Sequence, residues 1–208
     1  MPLDTWLGFA LASTALLMIP GPTVLLVLSY ALSKGRSVAV ASAFGVATGD
    51  LIAMSLSLAG LGAIVMTSAV VFTAIKWAGA AYLVWLGVKL IRSAGQSGLT
   101  LPNADVSARG VFGHTALVTA LNPKSIGFFI AFVPQFITPT SPIVPQFAIL
   151  VATFVGLAAL NALAYALAAD RLRHAITRPV WLRWITRAGG AALITMGVLT
   201  ATLRRATA

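Results

Sequence analysis

Long apolar stretches alternate with short polar or basic segments along the whole chain. The first stretch, residues 6–30, has no charged residue and is followed by Lys34-Gly35-Arg36. A membrane-spanning α-helix needs about 20 predominantly apolar residues, so each stretch of this length predicts one span. Six spans are predicted, at about residues 6–30, 38–66, 70–91, 111–136, 146–169 and 184–203.

Two of these spans lie in an uncharged stretch, residues 125–169, which is too long for one helix. Four prolines predict a turn inside it, because proline interrupts a helix: Pro134, Pro139, Pro142 and Pro145. Residues 93–110 are polar and turn-rich and predict a cytoplasmic connecting loop. The chain is therefore expected to form one transmembrane domain, 1–208, with halves 1–92 and 111–208.

Composition leads to the same class of protein. Hydrophobic residues make up 59% of the chain and charged residues 9%, whereas soluble proteins have about 25% charged residues. This predicts an all-α membrane protein without a separate soluble domain. The chain has no cysteine, which excludes thiolate metal sites, thiol redox chemistry and disulfides.

The basic residues predict the orientation of the chain. Fourteen Lys and Arg against four Asp and Glu give a net charge of +10. In a chain this apolar, the excess indicates topogenic loop charge and no nucleic-acid partner. Basic residues follow spans one, three and five, so these connections are predicted to be cytoplasmic and both termini periplasmic. Arg204 and Arg205 depart from the rule, and a cytoplasmic C-terminus is the alternative.

An internal repeat relates the two halves. Residues 77–88 align with 187–198 without gaps and share six of twelve residues, and Asp50 falls on Asn161 at a similar offset. Two tandem units of three spans must face opposite ways across the bilayer. The sequence thus predicts six transmembrane helices arranged as two inverted three-helix repeats, as in secondary transporters.

Proline-containing breaks interrupt spans one and four at corresponding positions, Pro20-Gly21-Pro22 and Asn122-Pro123-Lys124. A proline leaves carbonyl groups without intrahelical partners, and these can coordinate an ammonium group or a cation. New half-helices are predicted to start near Thr23 and Ser125 and to offer N–H groups to a carboxylate. The alternative is a packing kink in each span.

Asp50 is the only carboxylate deep within a predicted span, at a cost of about 2.5 to 3.5 kcal/mol. We predict that it binds a substrate ammonium group or acts as a coupling site that takes up and releases a proton. The alternative is a structural ion pair with Lys124 or Lys76. Gly45 and Gly49 precede it with the spacing of a close helix-packing face.

Other polar residues in the spans have two interpretations each. Lys124 either attracts a substrate carboxylate or extends towards the interface and pairs with Asp50. Asn122 and Asn161 either bind substrate or hydrogen-bond to another helix. Tyr82 is a better candidate than Tyr165, because it lies in the repeated segment.

Enzymatic motifs are absent from the sequence. It has no G-x-S-x-G or H-E-x-x-H motif, no metal-ligand spacing, and only two histidines, His114 and His174. His114 is predicted to lie at the cytoplasmic interface. We therefore expect no enzyme activity, catalytic residue, bound metal or cofactor.

Four motifs in this order resemble the LysE/RhtB family of amino-acid exporters. The resemblance covers nearly the whole chain and implies a multi-pass exporter in a bacterial inner membrane, driven by a proton or ion gradient. The motifs are Pro20-Gly21-Pro22, residues 45–50, residues 76–87, and Asn122-Pro123-Lys124 with Phe128-Phe129 and Pro134-Gln135-Phe136.

Family members differ in substrate, and a single intramembrane carboxylate favours a neutral amino acid, such as threonine, homoserine or leucine, over a dibasic one. Expected partners are the amino-acid substrate, the lipid bilayer and a coupling proton or ion, and a homo-oligomer stays open. The alternatives are a divalent-cation exporter of a related family and, less favoured, an intramembrane enzyme. The predicted substrate-binding residues are Pro20, Gly21, Pro22, Thr23, Asp50, Tyr82, Asn122, Pro123, Lys124, Ser125 and Asn161.

Overall fold

The computed structural model describes residues 1–19, 21–34, 36–67, 69–94, 107–138, 141–176 and 179–202. Within these ranges every regular element is a helix, as the composition predicted. A short 3₁₀ helix, Val133–Phe136, follows α6. The α-helices are α1 Leu3–Met18, α2 Pro22–Lys34, α3 Arg36–Thr67, α4 Ala69–Arg92, α5 Ala108–Ala120, α6 Pro123–Ala131, α7 Ile143–Ile176 and α8 Pro179–Thr202.

Several of these helices could span a membrane. Three segments are long and apolar enough to cross a membrane, Ser37–Gly62 in α3, Thr73–Arg92 in α4 and Ile143–Ala169 in α7. Two bent pairs raise the number to as many as five among the described residues, since α1 and α2 meet at 54° and α5 and α6 at 44°. The protein is therefore a membrane protein. α8 covers the predicted sixth span, but it is not among the segments that are long and apolar enough to cross a membrane. The count of six spans therefore stays a prediction.

The half-helices begin earlier than the sequence indicated. α2 starts at Pro22 and α6 at Pro123, rather than near Thr23 and Ser125. Proline suits the first position of a helix because its fixed φ is helical and its missing N–H would have no partner there. The prolines at these breaks thus initiate helices.

Two predicted connections are also partly helical. α7 extends to Ile176 and α8 begins at Pro179, so most of the basic segment 170–183 is helix. No glycine or proline occurs between residues 157 and 178 to end α7 earlier. α5 begins at Ala108, where the Ser107 hydroxyl accepts a hydrogen bond from the Gly110 N–H, and residues 95–106 of the predicted loop lie outside the described ranges.

Three helix pairs position the centre of the molecule. α3 runs parallel to α5, with Gly45 and Gly49 packed against it as predicted. α7 runs parallel to α1, and the Trp6 indole donates to the Thr153 hydroxyl at 3.0 Å. α4 runs antiparallel to α8, with Gly87 packed on Gly190. Small residues allow these backbones to approach closely, as is usual in membrane helices.

A buried aromatic cluster holds α6 in place. Phe128 and Phe129 of α6 are fully buried and contact Phe154 of α7, with the Phe129 and Phe154 rings 4.8 Å apart and nearly perpendicular. Phe9 of α1 packs on Phe128 with ring centroids 6.5 Å apart. Perpendicular and offset aromatic pairs are favourable, so α6 presents its N-terminal residues from a fixed position.

Gly49→Ala should destabilise the protein by about 1 to 3 kcal/mol, because a new methyl group overpacks a tight contact. A Cβ atom at Gly49 would lie 2.5 Å from the Ala116 carbonyl oxygen and 2.6 Å from Thr119 Cβ. Gly60→Ala on the same helix is the matched control, since a Cβ there meets nothing within 4 Å. Thermal unfolding in detergent should show a lower midpoint for the Gly49 variant only. Equal midpoints would contradict the close packing of α3 on α5.

Candidate functional site

A small cavity of about 30 Å³ lies where the break between α1 and α2 meets the start of α6. Its walls come from α1, α2, α3, α6 and α7, and it has room for about one or two water molecules, so a larger ligand requires these walls to move apart. Seven of the eleven predicted site residues line it. The polar lining residues and the glycine are Gly21, Thr23, Asp50, Asn122, Lys124, Ser125 and Asn161, and the apolar ones include Leu16, Leu17, Val24, Val27, Val46, Ala158 and Ala162.

The C-terminal carbonyl groups of α1 form one side of this region. The last carbonyls of a helix lack intrahelical partners, and within a membrane they must find donors elsewhere. Side chains from α6 and α7 supply these donors. The bonds are Lys124 Nζ to the Leu16 oxygen at 3.1 Å and to the Ile19 oxygen at 3.0 Å, Asn161 Nδ2 to the Leu17 oxygen at 3.0 Å, and Tyr165 Oη to the Met18 oxygen at 3.1 Å.

Lys124 therefore coordinates the freed carbonyls with its own ammonium group. The sequence predicted that carbonyls at the first break bind an ammonium or a cation. The bound group in this structure is the side chain of Lys124. Gly21 lies beside it, and a Cβ atom there would be in ordinary contact with Nζ, at 3.4 Å. The ammonium thus links α6 to the end of α1.

Asn122 connects the two breaks. Its side-chain oxygen accepts a hydrogen bond from the Lys124 backbone N–H at 3.0 Å, which caps α6, and its Nδ2 donates to the Thr23 hydroxyl at 3.1 Å. Asn122 and Thr23 are both buried. The amide therefore makes a bond between helices, one of the two interpretations of this residue.

Asp50 faces the cavity from the middle of α3. It is 2% exposed, and its Oδ1 atom has no hydrogen-bond partner. The Ser125 hydroxyl lies within hydrogen-bonding reach of the carboxylate. A buried acceptor without a donor is costly, so Oδ1 is a position that a ligand donor would satisfy.

Asp50 and Lys124 face the same cavity, and their opposite charges attract each other without a direct contact. No nitrogen–oxygen contact within 4 Å joins these two described side chains, because the ammonium group is held by the α1 carbonyls. The side chain of Lys76, the other predicted partner, lies outside the described residues.

Tyr82 and Pro123 are described by the structure and are not among the residues that line the cavity. Tyr82 donates its hydroxyl to the Pro123 carbonyl at 3.3 Å and does not reach the cavity, and Pro123 lies at its edge as the first residue of α6. Tyr82 therefore contacts the start of α6 outside the cavity, and its role in substrate binding stays a prediction. Pro20 and the Pro22 side chain lie outside the described residues.

Two contacts of polar side chains were not predicted from the sequence. Tyr165 caps α1, and its spacing of four residues from Asn161 is the signal that places both on one face of α7. Tyr30 and His114 meet at 2.8 Å between the Tyr30 hydroxyl and His114 Nδ1. No sequence pattern linked α2 to α5, so this pairing depends on the tertiary structure.

Comparison with known proteins identifies the family. The chain matches the LysE type translocator family over residues 14–204. It is 36% identical over 208 residues to the homoserine/homoserine lactone efflux protein of Salmonella typhimurium, covering 99% of this chain and 100% of that protein. It is 33% identical over 204 residues to an uncharacterized membrane protein of Vibrio cholerae, covering 98% and 100%.

A further relative is the leucine efflux protein of Salmonella choleraesuis, 31% identical over 141 residues, which are 67% of this chain and 66% of that protein. No solved structure matches the chain at a significant level. The family match covers every residue that lines the cavity, and it confirms the resemblance carried by the four motifs. The chain belongs to the LysE type translocator family.

Proposed function

We propose that this protein is a secondary active exporter of amino acids in a bacterial inner membrane, with neutral amino acids as its substrates. The observation that carries the proposal is the cavity at the α1–α2 break, where a buried carboxylate oxygen without a partner and a lysine ammonium face the same space. The names of the homoserine and leucine efflux relatives support amino acids as the substrate class.

The substrate ammonium group binds at Asp50. An α-ammonium group has a positive charge and three N–H donors. It can therefore supply the hydrogen bond that the Oδ1 atom of Asp50 does not make in the structure. Burial of the carboxylate strengthens this interaction, because the surroundings have a low dielectric constant. Ser125 helps to orient the carboxylate.

The substrate carboxylate binds on the opposite side of the cavity. Lys124 contributes its charge, and the start of α2 at Gly21 and Thr23 adds backbone N–H groups and the positive end of the helix dipole. Lys124 must loosen at least one of its bonds to the Leu16 and Ile19 carbonyls to reach the substrate. Substrate binding is thereby coupled to the contact between α6 and α1.

The charge balance of the cavity favours a neutral amino acid. One carboxylate and one ammonium among the lining residues match the two charges of a zwitterion. A dibasic substrate would bring a second cation, for which the lining has no further carboxylate. Its apolar walls, Leu17, Val24, Val27 and Val46, suit a small uncharged side chain.

Helix packing supports an inverted repeat of six spans. The order α1 to α4 corresponds to α5 to α8, with a bend of 54° in the first unit and 44° in the second. α3 runs parallel to α5, as α7 runs parallel to α1, while the corresponding helices α4 and α8 are antiparallel. This is the relation expected of two inverted units. In the proposed topology both termini are periplasmic, rocking of the units alternates access, and a proton or ion gradient drives export.

A counterflow assay tests the substrate class. Purified protein in liposomes loaded with unlabelled amino acid should accumulate labelled homoserine or leucine, and lysine should exchange far more slowly. N-acetyl-homoserine should not compete, because it lacks the ammonium that Asp50 binds. Homoserine lactone keeps that ammonium but has no carboxylate for Lys124, so it should compete more weakly than homoserine.

Empty liposomes and liposomes containing the Asp50→Asn variant are the controls. Exchange of divalent cations without exchange of any amino acid would contradict the proposal and favour the cation-exporter alternative. Equal competition by the N-acetylated compound would exclude the role of Asp50 in binding the ammonium.

A further inference from the structure

A groove on the outer face of α4, near its C-terminal end, is separate from the cavity at Asp50. Its lining residues are Trp85, Val88, Lys89, Arg92 and Ser93. Trp85 is 54% exposed, and the Lys89 and Arg92 side chains are also exposed. The groove thus combines an aromatic wall with two cations at the end of a segment apolar enough to span the membrane.

The two cations are held on one face of the helix. Lys89 Nζ lies 5.0 Å from the centroid of the Trp85 ring, a cation–π distance. Arg92 follows three residues later and lies beside Lys89 on the helix surface. α4 contains no Asp or Glu, so neither charge is neutralised from within this helix.

α8 brings further positive charge to the same end. It runs antiparallel to α4, and Gly190 packs against Gly87 and Ile91. Arg187, about one turn before Gly190, therefore lies at the level of the α4 C-terminus, and Arg183 lies one turn beyond it. Both arginines are exposed, and α8 also contains no Asp or Glu.

We infer that this groove binds the headgroup of an anionic phospholipid. The phosphate lies between Lys89 and Arg92, and the Trp85 indole sits at headgroup level, where tryptophan is enriched. The acyl chains follow the same exposed face of α4 over Ala81 and Trp77. That apolar continuation favours a lipid over a free phosphate ion, which would use the cations alone.

Quenching of tryptophan fluorescence by brominated phosphatidylglycerol in phosphatidylcholine vesicles tests this site. The Trp85 signal is the difference between the wild-type protein and Trp85→Phe. Lys89→Gln and Arg92→Gln should each weaken the preference for phosphatidylglycerol at Trp85 about fivefold, from the loss of one basic residue near the surface.

Arg109→Gln is the matched control, since it also removes one exposed cation but does not line the groove. It should leave quenching at Trp85 unchanged. Equal losses in all three variants would overturn the inference in favour of diffuse surface charge. Full competition by soluble glycerol phosphate would overturn it in favour of a free anion. The readout needs no transport, so it stands apart from the proposed export activity.

Discussion

Asp50→Asn should reduce amino-acid efflux at least about 30-fold while the protein still folds and inserts. Asparagine has nearly the same size but lacks the charge that holds the substrate ammonium, and loss of one partner in a buried charge pair costs about 2 to 5 kcal/mol. The expected loss of efflux is large because the Asp50 side chain is buried and its Oδ1 atom has no other hydrogen-bond partner. Efflux of labelled homoserine or leucine from proteoliposomes is the measurement.

Asp4→Asn is the matched control for that experiment. Asp4 is an exposed carboxylate in the first turn of α1, and it does not line the cavity. Its neutralisation should leave efflux unchanged, and both variants should give the same size-exclusion profile and unfolding midpoint within error. Efflux at the wild-type rate from Asp50→Asn liposomes would exclude the carboxylate from the transport mechanism.

Lys124→Met should both destabilise the protein and abolish efflux. The Lys124 ammonium donates to the Leu16 and Ile19 carbonyls. Hydrogen bonds from a charged donor contribute about 1.5 to 3 kcal/mol each, and methionine leaves these acceptors without that donor. We expect a loss of about 3 kcal/mol in unfolding free energy, measured by thermal or chemical unfolding in detergent.

Lys124→Gln separates the structural role of this residue from its role in binding. Glutamine keeps a donor for one carbonyl but lacks the charge for a substrate carboxylate. Its stability should lie between that of the wild-type protein and that of Lys124→Met, while its efflux stays as low as in the methionine variant. Arg109→Gln controls for loss of a positive charge elsewhere. If efflux of the glutamine variant followed its stability instead, Lys124 would act only as a cap of α1.

Much of this protein can be read from its sequence. The helical membrane class follows from apolar stretches of spanning length, since no other local structure satisfies the backbone of such segments in lipid. Helices start at Pro22 and Pro123, slightly earlier than predicted, as the chemistry of proline favours, while the interruption of one span at each of them stays a prediction. Asp50 was singled out because a carboxylate within an apolar span is rare.

The partners of the polar residues were not predictable in the same way. Lys124 was equally compatible with a bond to Asp50, a position at the interface, or a substrate carboxylate. The outcome depends on the C-terminus of α1, where several carbonyls compete for donors about a hundred residues away in the chain. The partners of Tyr82 and Tyr165 were not predictable for a similar reason, since only helix packing decides which backbone carbonyl each hydroxyl reaches.

The sequence by itself thus determined that this protein lies in a membrane and which few polar residues are energetically unfavourable there. It could do so because hydropathy and proline act locally along the chain. Only the tertiary structure decided that Lys124, Asn161 and Tyr165 cap the end of α1 and that Asp50 keeps a free oxygen in the cavity. Each of these groups can bond to several others, and the choice among them is made when distant helices come together and exclude lipid and water.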